Sequence, residues 1–184
     1  MTDSHRFALF ATGFGECGLA WNERGVCAVW LPETRRGNLR TRIARRLPGA
    51  LEAEAEGDAA TAISGMCALL AGAPAEFDRI PVDLAGASPF QRQVYEVART
   101  IACGRVLTYG AVAERVGPGA TAQAVGQALG ANPLPLIVPC HRVIAAHGRL
   151  GGFSAPGGTA VKRRLLALEN ARLDGPPDLF DGIA

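Results

Sequence analysis

The chain has 184 residues, of which 48% are apolar and 20% are charged, an ordinary composition for one generous globular domain or two small ones. Its formal net charge is +2, and its apolar runs are interrupted well before the roughly 20 residues that a membrane span needs. Extended disorder and a membrane span are therefore excluded. Because the N-terminus carries no recognisable secretion signal, we expect a cytoplasmic protein.

The first half of the chain, residues 1–87, predicts a small N-terminal α/β domain with a β-hairpin sheet. Two strand-like runs at residues 6–21 and 26–31 flank a polar turn, which predicts the hairpin. Three further elements follow, namely a helix with Leu39, Ile43 and Leu47 on one face, a helix that Asp58 can cap, and a short strand at residues 80–84. No residue pattern in this half indicates chemistry.

The second half, residues 88–173, predicts a mostly helical domain of opposite charge. Residues 1–87 carry nine Arg against eleven Asp and Glu, net −2, whereas residues 88–172 carry ten Arg and Lys against three Glu, net +7. Such a basic segment suits a polyanion such as nucleic acid, and the alternative is a chain that is simply rich in Arg. The predicted fold class is therefore α+β, and residues 174–184 predict a loose tail.

Three helices of the second half include a helix-turn-helix candidate. A Ser-Pro pair suits the start of the first helix, which we expect to end at Gly104. Thr108 can cap a second helix over Tyr109–Val116, and a Gly-Pro-Gly turn leads to a third helix over residues 121–129. Two short helices joined by such a turn are typical of DNA-binding proteins.

One face of the third helix carries only small residues. These are Ala122, Ala124, Gly126 and Ala128, with Gln123 the one long side chain near its start. Tight packing against another helix explains this face. A helix that lies against a narrow nucleic-acid groove, with Gln123 projecting into it, explains it as well.

Cys140 is the candidate nucleophile. The five Cys form no C-x-x-C pair and no cluster with His, so we expect reduced thiols and no metal. Cys140 ends a stiff, Pro-rich apolar loop beside His141, a candidate base that Glu169 on the last helix could orient. The alternative for the Cys-His pair is a buried structural Cys beside a His whose hydrogen bonds are made within the core. The alternative for Glu169 is a side chain that faces solvent.

Several motifs follow one another along the second half of the chain in the same order as in one protein family. They are Phe90-Gln91, Gly104, Thr108-Tyr109, Asn132-Pro133, Pro139-Cys140-His141-Arg142-Val143, Gly151-Gly152-Phe153, and Lys162 with Leu165-Leu166 and Glu169. This set resembles the O6-alkylguanine-DNA alkyltransferases, also called methylated-DNA–protein-cysteine methyltransferases. The resemblance spans residues 88–172 and is loose before them.

The resemblance implies a DNA repair protein that needs no cofactor. It would transfer an alkyl group, such as methyl, from O6-alkylguanine in duplex DNA to Cys140 in a single suicide turnover, after flipping the base out of the helix. His141 would take the thiol proton through a water, Glu169 would orient His141, and Asn132 would brace the active-site turn. Tyr109 would assist the leaving guanine at N3 or move the phosphate that turns the nucleotide out. The expected state is a monomer in the cytosol or nucleoid of a bacterium.

Two further sets of residues are implied by the same resemblance. The set that would contact DNA and open the duplex comprises Thr121, Ala122, Gln123, Ala124, Gly126 and Arg142. The set that would line the substrate pocket comprises Val143, Gly152, Phe153 and Ser154.

Three positions depart from the family pattern. Gln123 stands where an intercalating Arg is usual, Phe153 stands where Tyr is frequent, and the loop at residues 155–158 is longer by two residues. Relatives that only bind lesions carry Trp in place of the nucleophile. Cys140 therefore favours an alkyltransferase over the alternative, a non-catalytic lesion sensor that recruits other repair proteins.

Overall fold

The computed structural model describes residues 4–32 and 38–172. The N-terminal half contains, in chain order, β1 (Arg6–Thr12), β2 (Gly15–Asn22), β3 (Gly25–Trp30), α1 (Leu39–Arg46), β4 (Leu51–Glu52) and α2 (Gly57–Leu70). The C-terminal half contains α3 (Pro89–Arg99), β5 (Leu107–Thr108), α4 (Tyr109–Val116), α5 (Ala122–Gly130), a 3-10 turn (Cys140–Arg142), β6 (Val143–Ile144) and α6 (Gly158–Leu168). This order confirms the predicted α+β fold.

The four N-terminal strands form one sheet in the order β3-β2-β1-β4. β2 and β3 form the predicted antiparallel hairpin, in which Asn22 faces Gly25. The prediction of one strand over residues 6–21 is wrong, because the chain reverses between Thr12 and Gly15 and β1 pairs antiparallel with β2. Gly15 has a φ of +120°, a conformation that glycine adopts readily and other residues avoid.

Two other predictions for this half are wrong in detail. Asp58 lies in the first turn of α2 and does not cap it, because the helix begins at Gly57 and its N-cap residue is Glu56, two residues earlier than predicted. Residues 80–84 form no strand of their own, and only Val82 makes an isolated bridge, to Val26. Pro81 has no N–H to donate, which prevents a regular ladder there.

Helices cover both faces of the sheet. On one face, α1 buries Leu39 and Ile43 in a cluster with Phe7, Ala20, Ala28 and Trp30. On the other face, α2 buries Ala62, Met66 and Leu69 in a cluster that also holds Leu19, Val26 and Val29. The alternation of side chains along each strand supplies both apolar surfaces.

The two halves share one hydrophobic core. The cluster on the α2 side of the sheet continues into Val94, Leu129 and Leu165 of the C-terminal helices. The Val29 N–H donates to the Pro133 carbonyl at 2.9 Å, and the Arg99 guanidinium donates at 2.8 Å to backbone carbonyls between α2 and α3. The division of the chain at residue 87 stays a prediction.

α3 starts as predicted and ends earlier. Ser88 caps it, and Ser88 and Gln91 form a reciprocal capping box with Pro89 at the first helical position. The helix ends at Arg99 and not at Gly104. The Thr100 hydroxyl donates to the Val97 carbonyl at 2.8 Å, a local bond of the kind that competes with helical continuation.

α4 has the predicted cap, since Thr108 accepts from the Ala111 N–H. α5 begins one residue later than predicted, because Thr121 is its cap and accepts from the Ala124 N–H. Among the described residues, no helix combines the length and the apolar character needed to cross a membrane. The predicted tail at residues 174–184 lies outside the described part of the chain.

Candidate active site

Cys140 is presented by a buried loop that folds around Asn132. The Asn132 side chain donates to the Val138 carbonyl and accepts from the Leu134 N–H, both at 2.9 Å. The apolar residues Leu136, Ile137 and Val138 are buried, as predicted. This closed loop delivers the chain to the 3-10 turn that begins at Cys140.

Cys140 lies at the wall of a cavity of about 440 Å³, here named the Cys140 cavity. α4 contributes Tyr109, α5 contributes Ala122, Gly126, Leu129 and Gly130, and the loop before α6 contributes Gly152, Phe153 and Ser154. The structure thus brings three of the four predicted pocket residues together. Val143 is the exception, because its side chain is fully buried in the core and is not part of the cavity lining.

Cys140 is almost completely buried, with 6% of the residue exposed. Burial raises the pKa of this thiol, and the Asn132 side chain and the positive charge of Lys162 partly offset the effect. A thiol in this environment is protonated at neutral pH, so nucleophilic attack needs a group that takes the proton.

His141 and Glu169 form a buried pair. The His141 Nε2 atom lies 2.8 Å from Glu169 Oε1, and both side chains are inaccessible to solvent. Burial lowers the pKa of His141, which makes the imidazole neutral at pH 7. Burial raises the pKa of Glu169, but hydrogen bonds from His141 and Arg142 outweigh it and hold this pKa at about 2.

These protonation states fix the imidazole tautomer. An ionised Glu169 only accepts hydrogen bonds, so the proton of the neutral ring lies on Nε2 and Nδ1 carries the lone pair. Among the described residues, nothing hydrogen-bonds this buried Nδ1 atom. His141 can therefore accept a proton at Nδ1 while Glu169 stabilises the resulting imidazolium.

Arg142 lies inside the protein, which corrects its assignment to the DNA-contacting set. Its Nε atom donates to Glu169 Oε2 at 3.0 Å, Nη2 donates to Oε1 at 2.8 Å, and Nη1 donates to the Ile101 carbonyl at 2.6 Å. With 5% exposure it cannot reach a phosphate. The buried charge of Glu169 needs this partner, since an unpaired buried carboxylate is costly.

α5 turns part of its predicted DNA-contacting face outward. Thr121, Ala122 and Gln123 are exposed, and Ala124 and Gly126 are half-buried. Ala128 is buried, which corrects its place on the small-residue face, and its carbonyl accepts from the buried Tyr95 hydroxyl at 2.9 Å. The accessible small-residue surface thus occupies the first turns of α5 only.

Comparison with known proteins identifies the family. A family model described as the 6-O-methylguanine DNA methyltransferase, DNA binding domain, matches residues 89–171. A Mycolicibacterium paratuberculosis protein named methylated-DNA–protein-cysteine methyltransferase is 45% identical over 122 residues, which are 66% of this chain and 72% of that protein. A crystal structure of Mycobacterium tuberculosis OGT in complex with DNA shares 32% identity at a TM-score of 0.71, covering 92% of this chain and 96% of that one. The chain belongs to the methylated-DNA–protein-cysteine methyltransferase family.

Membership in the methylated-DNA–protein-cysteine methyltransferase family confirms the recognition made from the sequence, the enzyme class and the DNA repair function. The matched DNA-binding domain is the basic half of the chain. A second solved structure, the M. tuberculosis O6-methylguanine methyltransferase, has a TM-score of 0.72 and covers 95% of this chain and 97% of that one at 33% identity. The N-terminal half therefore shares the fold of such methyltransferases as well.

Lys162 is a site residue of this methyltransferase that sequence reasoning named only as part of a motif. Its Nζ atom donates to the Val143 carbonyl at 2.6 Å and to the Gly152 carbonyl at 3.2 Å, and lies 5.5 Å from the centre of the Tyr109 ring. Burial lowers its pKa to about 8. Its place three residues before Leu165 on the buried stripe of α6 was the signal available in the sequence.

Tyr109 is held against the pocket loop. Its hydroxyl donates to the Gly152 carbonyl at 3.2 Å, and burial raises its pKa. Among the described residues, no group of three or more His, Cys, Asp or Glu is arranged to hold a metal ion.

Proposed function

We propose that this protein repairs O6-alkylguanine in duplex DNA by moving the alkyl group to Cys140, once per molecule. The observation that carries the proposal is Cys140 at the wall of a cavity, followed directly in the chain by the buried His141–Glu169 pair. Since an alkylated base inside a duplex is out of reach of a buried thiol, the base must be flipped into the Cys140 cavity.

The thiol proton leaves by way of His141. Residues adjacent in the chain rarely contact each other directly, so one water connects the Cys140 thiol to His141 Nδ1. Glu169 orients the ring and stabilises the imidazolium that forms. The Cys140 sulfur attacks the alkyl carbon in line with the C–O6 bond, an S–C bond forms, and the electron pair of the broken bond stays on O6.

The remaining pocket residues have positioning roles. Asn132 holds the loop that presents Cys140. Tyr109 lines the cavity and either exchanges its bond to the Gly152 carbonyl for one to a ring nitrogen of the departing guanine or moves the phosphate that turns the nucleotide out. Gly152, Phe153 and Ser154 line the cavity together with residues of α5. The thioether formed at Cys140 is not hydrolysed by water, so the alkylated protein is the end product.

The DNA-facing surface is the start of α5. Thr121, Ala122 and Ala124, together with Gly126, allow the helix to approach a groove closely, and Gln123 reaches into the space that the flipped nucleotide leaves. The double-stranded substrate binds one copy of the protein, which acts as a monomer in the bacterial cytosol or nucleoid.

Intact-protein mass spectrometry after incubation with an O6-methylguanine duplex tests the proposal. We expect the mass to rise by one methyl group and peptide mapping to place it on Cys140. Cys140→Ser should abolish transfer while duplex binding persists, because Cys140 is buried at the cavity wall and is not one of the residues proposed to contact the duplex. Cys103→Ser is the matched control, since Cys103 is half-buried and does not line the cavity.

The alternative function predicts a different result. A lesion sensor would bind the alkylated duplex more tightly than the unmodified one and would show no mass change. A methyl group on Cys17, Cys27 or Cys67 would contradict the assignment of Cys140.

A further inference from the structure

Tyr95 on α3 is a buried side chain to which the proposed function gives no role. Its exposure is 1%, and it is one of the largest fully buried side chains among the described residues. Its hydroxyl donates to the Ala128 carbonyl of α5 at 2.9 Å, and this bond is itself buried. Because a buried hydroxyl without a partner is costly, the bond ties the Tyr95 ring to the last turn of α5.

The Ala128 carbonyl is an acceptor that α5 satisfies poorly by itself. Ala128 is one of the last four residues of α5, whose carbonyls lack the regular partner of a helix interior. The Ala131 N–H approaches the Ala128 carbonyl at 3.1 Å, but it is shared with the Gln127 carbonyl at 3.2 Å. The Tyr95 hydroxyl therefore gives this end of the helix a partner from outside the helix.

The last turn of α5 belongs to the site. Leu129 and Gly130 follow Ala128 directly in the chain and line the Cys140 cavity. Asn132, two residues further on, holds the loop that presents Cys140. A displacement of Ala128 thus moves one wall of the cavity and the support of the nucleophile together.

Tyr95 lies near the nucleophile without facing the base. Tyr95 and Cys140 belong to the same hydrophobic cluster, but Tyr95 is not among the described residues that line the Cys140 cavity. Burial, and to a smaller extent charge on Cys140, raise the pKa of Tyr95 to about 12. The hydroxyl therefore stays protonated, and so remains a donor, throughout the neutral pH range.

We propose that Tyr95 is a positioning residue for alkyl transfer, which acts by fixing the last turn of α5 through its bond to the Ala128 carbonyl. The proposal rests on the proposed function, because it concerns the rate of the same reaction at Cys140. Through this bond, α3 sets where the cavity wall and the nucleophile stand relative to a base in the cavity.

Tyr95→Phe tests the proposal, because it keeps the ring and removes only the donor. Single-turnover transfer from an O6-methylguanine duplex is followed by intact mass at increasing protein concentration. We expect the rate constant at saturation to fall by about fivefold, since small displacements of reacting groups are costly. The half-saturating concentration should stay at the parent value, because the exposed start of α5 is not displaced. Free O6-methylguanine should show the same fall, since it enters the same cavity.

Amide hydrogen exchange is the second measurement. The Ala131 and Asn132 N–H groups both bond carbonyls in the last turn of α5. Loss of the Tyr95 bond should speed their exchange, and should leave the amides of α4 at the parent rate. Unchanged exchange at both residues contradicts a role of Tyr95 in fixing this turn.

Thr100→Val is the matched control. The Thr100 hydroxyl also donates to a carbonyl, that of Val97 at 2.8 Å, but this bond is exposed and stays within the end of α3. The control should keep the parent rate constants with both substrates, at a temperature where denaturant unfolding shows every variant to be folded. A parent rate constant in folded Tyr95→Phe, or an equal fall in Thr100→Val, overturns the proposal. So does a fall with duplex that is absent with the free base.

Failure of the proposed function is recognised separately. A parent protein that takes up no methyl group from an O6-methylguanine duplex contradicts the alkyltransferase proposal itself. A parent protein that takes up methyl, with Tyr95→Phe reacting equally fast, contradicts the positioning role alone.

Discussion

At the scale of single residues, each buried charge at the site is satisfied by a specific partner. Glu169 is bonded by His141 and by the Arg142 guanidinium, which also bonds a backbone carbonyl. Lys162 has backbone carbonyls as its partners, and burial lowers its pKa to about 8. The pairing that stabilises the charges also orients the imidazole, so stability and proton transfer depend on the same contacts.

Replacing Glu169 by Gln should therefore affect both properties. The amide can donate to His141 Nε2 and so favours the wrong tautomer, and it leaves the Arg142 charge without a carboxylate. We expect single-turnover transfer from an alkylated duplex to slow by about 100-fold and the free energy of unfolding to fall by about 3 kcal/mol. Glu96→Gln, an exposed position on α3, should change neither quantity.

The Glu169 contribution to stability should also depend on pH in a defined direction. The pKa of Glu169 is held at about 2 in the folded protein, below its ordinary value of 4.5. A depressed carboxyl pKa stabilises the fold above about pH 4.5, and the contribution is lost as pH falls toward 2. Denaturant unfolding at pH 7, 5 and 4 should show the difference between parent and Glu169→Gln narrowing on the acid side; a difference that widens there contradicts the assignment.

The sequence indicated which residues form the site better than it indicated what each of them contacts. The apolar stripe of α6 made Glu169 a candidate to orient His141, because spacing on a helix determines which face a residue occupies. The resemblance to the family, and not the spacing, favoured this role over a solvated Glu. Spacing could not show that Arg142 turns inward, since its direction depends on the short 3-10 turn and on a carboxylate 27 positions away.

At the scale of elements, α5 and the pocket loop both line the Cys140 cavity. α5 supplies small residues that include Ala122 and Gly126, and the loop supplies residues 152–154. The starts of α3 and α4 were predicted correctly, because Ser88 and Thr108 cap their helices through local bonds, whereas the predicted Asp58 cap of α2 is wrong. The β1–β2 reversal was missed, because the polar turn signal there is weak and the apolar residues run on through it.

Gln123 should determine how efficiently the duplex is opened. Gln123→Arg adds a charge beside the phosphates and should speed transfer from duplex by about fivefold, which corresponds to about 1 kcal/mol. Gln123→Ala should slow it by a similar factor, and transfer from a free alkylated base should be indifferent to both. Gln127→Ala, exposed one turn later on α5, is the control. If Gln123→Ala repairs duplex at the parent rate, another side chain fills the gap.

Gly151 should be required for the position of Tyr109. A Cβ at Gly151 would lie 2.8 Å from a Tyr109 ring carbon, and the residue has a φ of +66°. Gly151→Ala should displace Tyr109 or the loop and slow single-turnover transfer by about tenfold, since small misplacements of positioning groups are costly. Gly86→Ala is the control, because Gly86 is exposed, does not line the cavity and has open space around the added carbon, so this variant should keep the parent rate. Equal rates for the two variants would contradict a rigid contact between Gly151 and Tyr109.

At the scale of the whole molecule, the number of basic residues in the second half of the chain overstates the positive charge on its surface. Of the ten Arg and Lys in residues 88–172, Arg142 and Lys162 are buried, and Arg99 bonds the segment between the two halves. The count of charges along the chain predicted a polyanion partner, and the family's DNA-binding domain agrees with it. The count could not separate cations that face solvent from those that hold the core together, because burial depends on contacts far apart in sequence.

The exposed arginines of the second half should make DNA binding strongly dependent on salt. Each phosphate that an arginine neutralises releases condensed counterions, so log affinity should fall linearly with log salt, with a slope of about −4 for four to five phosphate contacts. Fluorescence anisotropy with two unmodified duplexes of different sequence should give similar slopes, because small residues on α5 read few base edges. Alkyl transfer from a free base, which involves no phosphate, should be nearly independent of salt over the same range. Affinity for duplex that barely changes between low and moderate salt would place the DNA on a different, less basic surface of the protein.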